Sequence, residues 1–285
     1  MTGTGTQADP YIIDTWADFV TAIGTTNAYV KADTSSVRVW DFAKMVEGGI
    51  TASINWNALE FDGDGLTIKG IYGSAQYFFS SSNSNVTKII KNTNFLDFVK
   101  TATHSVTCIF SSRFEFRNCQ FSGILEGASL ASGTSSTIFT TGSVEGGEPK
   151  GCAFALKLSG DARISSATST SSVPTYNHCH FELDGESSAA EYMKMQECKI
   201  SGVFPWQSFT KSGGGQNVID AEVSAIGTWS NSGGGVMLVN TDKLASGLSV
   251  PTGFTGVTSA QMLDVDALAA VGFVAVEEGN PEGGE

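Results

Sequence analysis

No run of apolar residues in this chain approaches the roughly 18 that a membrane-crossing helix requires, so no membrane partner is expected. The opening Met1-Thr2-Gly3-Thr4-Gly5-Thr6 lacks the basic and apolar regions of a signal peptide. That predicts synthesis in a cytosol, with export, if any, by another route. Basic residues are scarce: 16 Lys and Arg face 29 Asp and Glu, a net charge of −13, which argues against a nucleic-acid partner held through a basic patch. The five cysteines, Cys108, Cys119, Cys152, Cys179 and Cys198, are odd in number and form no Cys-x-x-Cys pair. Neither a zinc site nor a full disulfide framework is indicated, and buried thiols are expected. Charged residues make up only 16% of the chain while Gly numbers 33, which predicts tight corners, few long surface helices and an all-β protein. With 285 residues, 41% of them hydrophobic, the chain can bury the core of one elongated domain or of two small ones.

What is present is an internal repeat. Seven segments align on a short apolar pair followed by a turn: 66–70 (Leu-Thr-Ile-Lys-Gly), 93–97, 119–123, 156–160, 179–183, 198–202 and 221–225. Their first positions differ by 27, 26, 37, 23, 19 and 23 residues, the period of a solenoid turn with one long insertion. Alternation along each segment predicts two inward columns. One reads Leu66, Thr93, Cys119, Leu156, Cys179, Cys198, Ala221, and the other Ile68, Phe95, Phe121, Leu158, Phe181, Ile200, Val223. Ahead of each segment lie two residues, often of types that tolerate a left-handed backbone: Asp64-Gly65, Lys91-Asn92, Arg117-Asn118, Asn177-His178 and Ile219-Asp220. A strand, a sharp corner and a second strand therefore recur. This predicts a single right-handed parallel β-helix, all-β, with short helical caps at both ends. A two-sheet sandwich would explain the alternation but not the repeated columns.

The ends carry the cap signals. Asp14-Thr15 precedes Trp16, Phe19, Val20 and Ile23 at helical spacing, and a strand is expected around 37–42. Thr258-Ser259 precedes a helical pattern over 260–269 that Gly272 stops, with a strand expected over 273–276. The expected organisation is an N-terminal cap over 1–50, coils over 51–245, and a C-terminal cap with an acidic tail over 246–285. The tail, Glu277 to Glu285, is too acidic and Gly-rich to order itself alone, so contacts from a partner are expected to hold it.

Residues 3–13 (Gly-Thr-Gly-Thr-Gln-Ala-Asp-Pro-Tyr-Ile-Ile), then Trp16-Ala17-Asp18-Phe19, Ile54-Asn55-Trp56-Asn57 and 61–70, resemble the opening of pectin-lyase-like parallel β-helix proteins. Such openings are common in bacterial surface proteins and in structural proteins of phages. The ending, Ser259 to Leu263 through Ala270 to Phe273, is similar to the ends of phage particle proteins. The resemblance implies a non-enzymatic virion protein, a capsid decoration or a short head or tail appendage, whose partners are other virion proteins or further copies of itself. The fold alone does not decide function. A receptor- or glycan-binding adhesive module, with a host-surface glycan as partner, and a polysaccharide lyase or hydrolase remain as alternatives.

Pectin-active members of the fold gather acidic residues, a basic residue and sometimes calcium on adjacent coils, whereas this chain has no Asp-Asp pair and no Gly-His-Gly. Its nearest approach is a surface column of His178, Glu197 and Asp220 beside one of His180, Lys199 and Glu222, which on successive coils would form one patch. A solvated face of alternating charges is the plainer expectation, and no catalytic residue, metal or cofactor is assigned. Trp206 and Trp229 each lie eight residues after an aligned position, so they are expected to stack, as core filling or, if exposed, as a sugar platform. Ser212-Gly213-Gly214-Gly215 and Ser232-Gly233-Gly234-Gly235 lack the Lys-Ser or Lys-Thr of a phosphate loop and read as flexible corners.

Overall fold

Strands separated by a few tens of residues pair in parallel, so the chain winds in one direction and each turn rests on the one before it. The computed structural model describes residues 1–41, 53–71, 77–81, 86–101, 106–111, 113–127, 135–139, 149–164 and 174–273. It is a right-handed parallel β-helix with short helical elements near both ends. One continuous ladder holds 18 strands, and a second holds the four strands Ile54–Asn55, Tyr77–Ser80, Val106–Phe110 and Ser135–Phe139. Paired residues are offset by 19 (Tyr11 and Val30), 31 (Val30 and Phe61), 29 (Phe61 and Ile90), 26 (Ile90 and Phe116) and 33 (Phe116 and Pro149). The offset is then 27 (Lys150 and Asn177), 19 (Tyr176 and Met195) and 20 (Val218 and Leu238). Coils are therefore wide in the middle and narrow toward the C-terminal end.

The corner is built as predicted at Asp64, Asn92, Asn118 and His178, and Gly151 and Glu197 complete it. Asp64, Asn92, Asn118, Gly151, His178 and Glu197 all take φ between 50° and 60°, the left-handed region where Asn, Asp and Gly are least penalised. Asn92 Nδ2 also donates to Asp62 Oδ1 of the preceding coil at 3.0 Å. Ile219-Asp220, assigned to a corner above, is instead mid-strand in Gln216–Glu222, with Ile219 buried.

The two columns exist, with two of their seven members displaced. Phe121 pairs with Phe154 rather than Leu158, and Ile200 pairs with Ile219 rather than Val223. The first column therefore runs through Cys152 in place of Leu156 and Asn217 in place of Ala221. Both slips are four residues, an even number, so each keeps the same residues inward; alternation sets parity but not register. Leu156, Leu158, Ala221 and Val223 are indeed buried, one step further along their strands. In the second column the rings of Phe95, Phe121, Phe154 and Phe181 stack at 5.5, 5.0 and 4.7 Å with interplanar angles of 13°, 8° and 10°. The coil spacing of about 4.8 Å is close to an aromatic stacking distance.

In the first column Cys119, Cys152, Cys179 and Cys198 are buried and unbridged, each thiol donating to a carbonyl of the preceding coil. The side chain of Cys108 lies outside the described residues. The Cys119 thiol beside Cys152, followed by burial, pushes the Cys152 group up to about 12 from the ordinary 9.0, and the Cys152 thiol and burial do the same to Cys179. Cys198 is raised by Cys179 and burial as well. A thiol whose folded value is raised contributes stability that is whole below about 9 and is lost as pH rises from there through about 12. We expect these four thiols to resist a thiol-specific disulfide reagent at pH 8 in the native protein and to react at once in guanidinium. Native reaction within minutes would contradict the column.

At the N-terminal end the helix Trp16–Gly24 is capped by Thr15, whose hydroxyl accepts from the Asp18 amide at 3.2 Å. It buries Phe19, Ala22 and Ile23, while Val20, placed on its apolar face above, is 37% exposed. The strand expected over 37–42 is seen as Val39–Asp41. The C-terminal helical pattern breaks into a 3-10 turn, Gln261–Leu263, and a helix, Val265–Ala270, capped by Asp264 rather than by Thr258-Ser259. Asp264 breaks it because its carboxylate accepts from the amides of Asp266 and Ala267. Gly272 stops it at φ 81°. The strand expected over 273–276 and the acidic tail lie outside the described residues beyond Phe273.

Candidate functional site

The six-residue patch forms in part: His178 lies beside Glu197 and His180 beside Lys199 on adjacent coils as expected, but the register moves Asp220 opposite Ser201 and Glu222 opposite Val203. Lys199 joins two of its parts, since it pairs with His180 and also bonds Asp220. At the corner, His178 Nε2 and Glu197 Oε2 approach to 2.6 Å, with side chains 65% and 35% exposed, and His178 Nδ1 meets Asn177 Oδ1 at 2.6 Å. A contact this exposed contributes little, about 0–1 kcal/mol. His180 pairs with Lys199 in register, and its Nε2 lies 2.9 Å from Ser201 Oγ. Asp220 is held by Lys199 (3.2 Å) and by Lys243 (2.9 Å) and accepts from Asn240 Nδ2 (2.8 Å). His178 and His180 do not share a ligand position, and among the described residues no group of three His, Cys, Asp or Glu side chains is placed to hold a metal ion.

Trp206 and Trp229 are buried, and they do not stack on each other. Phe209 pairs with Trp229, and Phe204 lies between the indoles, 5.6 Å from Trp206 and 4.5 Å from Trp229. Both are core filling. The two Gly-rich segments are stacked corners rather than loose ones. Lys211, buried between them, donates to Gly213 O at 2.6 Å and Gly234 O at 2.7 Å. Burial lowers its ammonium below the ordinary lysine value.

Two clefts remain. One, of about 440 Å³, runs across a corner where the exposed polar side chains of Glu186, Ser188, Gln207 and Ser224 surround the buried Phe204 and Trp206. The other, of about 410 Å³, lies between the sheet and the C-terminal segment. Its floor is Val218 and Leu238, which pair in register. Leu238 stands on the outer side of its strand, since its neighbours Met237 and Val239 continue the inward columns, yet it is fully buried because the C-terminal segment covers it. One wall is polar, with Lys199, Asp220, Asn240, Lys243 and Ser259; the other is apolar, with Met262, Leu263, Leu268 and Phe273. Within the polar wall Asn240 joins the sheet to the C-terminal segment by donating to both Asp220 Oδ1 (2.8 Å) and Ser259 Oγ (2.9 Å).

Burial favours the protonated form of Asp220, but hydrogen bonds from Lys243, Asn240 and Lys199 outweigh it and hold the carboxyl at about 2. The group is thus a fixed anion and a poor proton donor or acceptor at neutral pH. A depressed carboxyl contributes stability that is complete above its unfolded value, near 4, and is lost as pH falls through about 2. Asp220→Asn is expected to melt a few degrees, about 2–4 °C, below the parent protein at pH 6. Thermal melts from pH 7 to pH 2 check this: the gap should close toward pH 2, and a gap that persists there would mean the charge is not its source.

No protein-family model matches the chain, and no curated protein is similar to it. A solved structure that it resembles, described as an immunoglobulin A1 protease from Bacteroides ovatus, shares 15% identity over 94% of this chain and 89% of that one, with a TM-score of 0.43. Likeness at that level transfers no activity.

Proposed function

We propose that the protein is a non-enzymatic structural protein of a phage virion, a solenoid that decorates the capsid or forms a short head or tail appendage. The observation that supports a non-catalytic role is the state of its acidic face. Asp220 is fixed as an anion by two lysines and by Asn240, so it is not left to exchange a proton with a substrate. The virion assignment rests on the resemblance of the chain's two ends to phage particle proteins. Its partners in this reading are neighbouring virion proteins or further copies of itself. Mass spectrometry of purified particles tests it directly: the protein should be present at a fixed stoichiometry to the capsid protein, and its absence from particles would sink the reading.

A second reading, a receptor- or glycan-binding module, is favoured by the corner cleft, whose exposed Glu186, Ser188, Gln207 and Ser224 offer hydrogen-bonding groups to a polar ligand. The buried indoles do not contribute a stacking surface. A glycan array probed with the intact protein separates the two, with binding that Gln207→Ala weakens supporting the second. Under either reading we expect no turnover of acidic polysaccharides, with or without calcium. Depolymerisation that disappears in Glu197→Ala or Asp220→Ala would overturn it.

A further inference from the structure

We infer that Asp184 is a self-modification site, where the carboxyl closes on the Gly185 amide and reopens as isoaspartate. This goes beyond the proposed function, because the reaction needs water and neither a particle nor a glycan. Asp-Gly pairs occur in the chain at 62–63, 64–65 and 184–185, and glycine, having no side chain, hinders such a closure least. The structure sets the last of these pairs apart.

At 184–185 the amide has left the ladder. Pairing with the next coil ends at Leu183 and Gly202, while on the preceding coil, where Gly185 lies opposite Leu158, the bond to Leu158 O comes from Glu186 N at 3.2 Å. Gly185 N instead donates to Asp184 Oδ1 at 2.8 Å. That places the nitrogen beside the carboxyl carbon it must attack, with its proton against an oxygen that can receive it. Gly185 is held there: its φ is 92°, and a Cβ on it would lie 2.1 Å from Leu158 O. The Asp184 side chain is 65% exposed and so open to water, and its Oδ2 is 4.0 Å from Lys157 Nζ. The other two carboxylates face elsewhere. Asp62 Oδ1 accepts from Asp64 N and Asn92 Nδ2, and its Oδ2 faces Lys91. The Asp64 carboxylate turns to Thr34 and Lys31 of the preceding coil.

With the carboxyl protonated on Oδ2, Gly185 N bonds to Asp184 Cγ, the amide proton passes to Oδ1, and the diol so formed loses a water to leave a succinimide. Water then opens the ring. Where it breaks the original bond between the Asp184 main-chain carbonyl carbon and Gly185 N, the chain runs on through Cγ, longer by a methylene and unchanged in mass. The longer link falls at the rim of the corner cleft, next to Glu186 and Ser187, where Ser187 N bonds to Pro205 O and Ser188 N to Gly160 O.

Ageing the full chain at pH 6, folded or unfolded in guanidinium, tests this, with isoaspartate located by electron-transfer fragmentation of its peptides. For each site the folded rate is divided by the unfolded rate. The ratio should be at least about a third at Asp184, and at least about tenfold smaller at Asp62 and at Asp64. A smaller ratio at Asp184, or ratios alike at all the sites, would overturn the inference. Asp184→Asn closes the same ring with loss of ammonia in place of water, so that variant should deamidate at this position while its circular dichroism still shows the folded solenoid. A folded variant that keeps its amide as long as the other asparagines keep theirs would overturn the inference as well.

Discussion

Replacing Phe154 by alanine is expected to lower the unfolding free energy by about 3–5 kcal/mol, the range for a buried aromatic cut back to a methyl group. Phe154 is 1% exposed and sits between Phe121, 5.0 Å away, and Phe181, 4.7 Å away, with Phe139 and Tyr176 at its edges. The deletion empties one rung of a continuous stack, and the flat rings above and below cannot turn to fill it without leaving their own rotamers. Each lost ring contact adds about 0.5–1.5 kcal/mol beyond the burial term. Phe154→Leu should recover more than half of the loss. Equilibrium urea unfolding measures both, and a Phe154→Ala loss under about 1 kcal/mol would show that the column is not close-packed.

Gly160→Val is expected to cost about 3 kcal/mol or more, from backbone crowding rather than from a cavity. Gly160 has φ of 62°, and a Cβ built on it would lie 2.0 Å from the carbonyl oxygen of Gly127 on the coil before it. The approach is reciprocal, since a Cβ on Gly127 would lie 2.2 Å from the carbonyl carbon of Asp161. Two backbones touch at this corner, and any side chain must push the coils apart. Gly65 supplies the control: its φ is 82° but nothing lies within 4 Å of a Cβ there, so Gly65→Ala should cost only the conformational penalty, about 1–2 kcal/mol. Comparable losses at the two sites would mean that crowding contributes nothing at Gly160.

The parity of the coils was legible in the chain because a parallel solenoid repeats its environment, and residues such as Phe95, Phe121 and Phe181 recur with their corner residues. Register was legible only where a corner signal accompanied the apolar pair. At Gly151-Cys152-Ala153-Phe154 the corner residue is glycine instead of asparagine, and the apolar run continues through Leu156 and Leu158, so a match four residues late looks equally good. Asn217 hid its place because an amide stands where thiols stand elsewhere. It is tolerated because its Oδ1 accepts from the Cys198 amide at 3.0 Å and its Nδ2 reaches the Met195 and Gly214 carbonyls. The second slip alone placed Asp220 and Glu222 in the expected six-residue patch. The cleft itself was not legible, because its walls come from residues as far apart as Lys199 and Phe273. One signal pointed to it. Val236-Met237-Leu238-Val239 is apolar without alternation, the pattern of a strand covered on both faces.

The offsets between paired strands, 17 to 33 residues, also set how the molecule can be made. Each coil needs only its predecessor as a partner, so a ribosome elongating at about 5–20 residues per second delivers a complete new rung every few seconds. The helix Trp16–Gly24 and its first strands emerge early and offer a seeded edge on which later rungs can settle in order of synthesis. Until the C-terminal segment covers Leu238, that growing edge carries unpaired backbone groups and exposed apolar rings. Nascent chains are therefore most vulnerable to misassociation while the wide middle coils are emerging, and slowing translation there would lengthen that exposure.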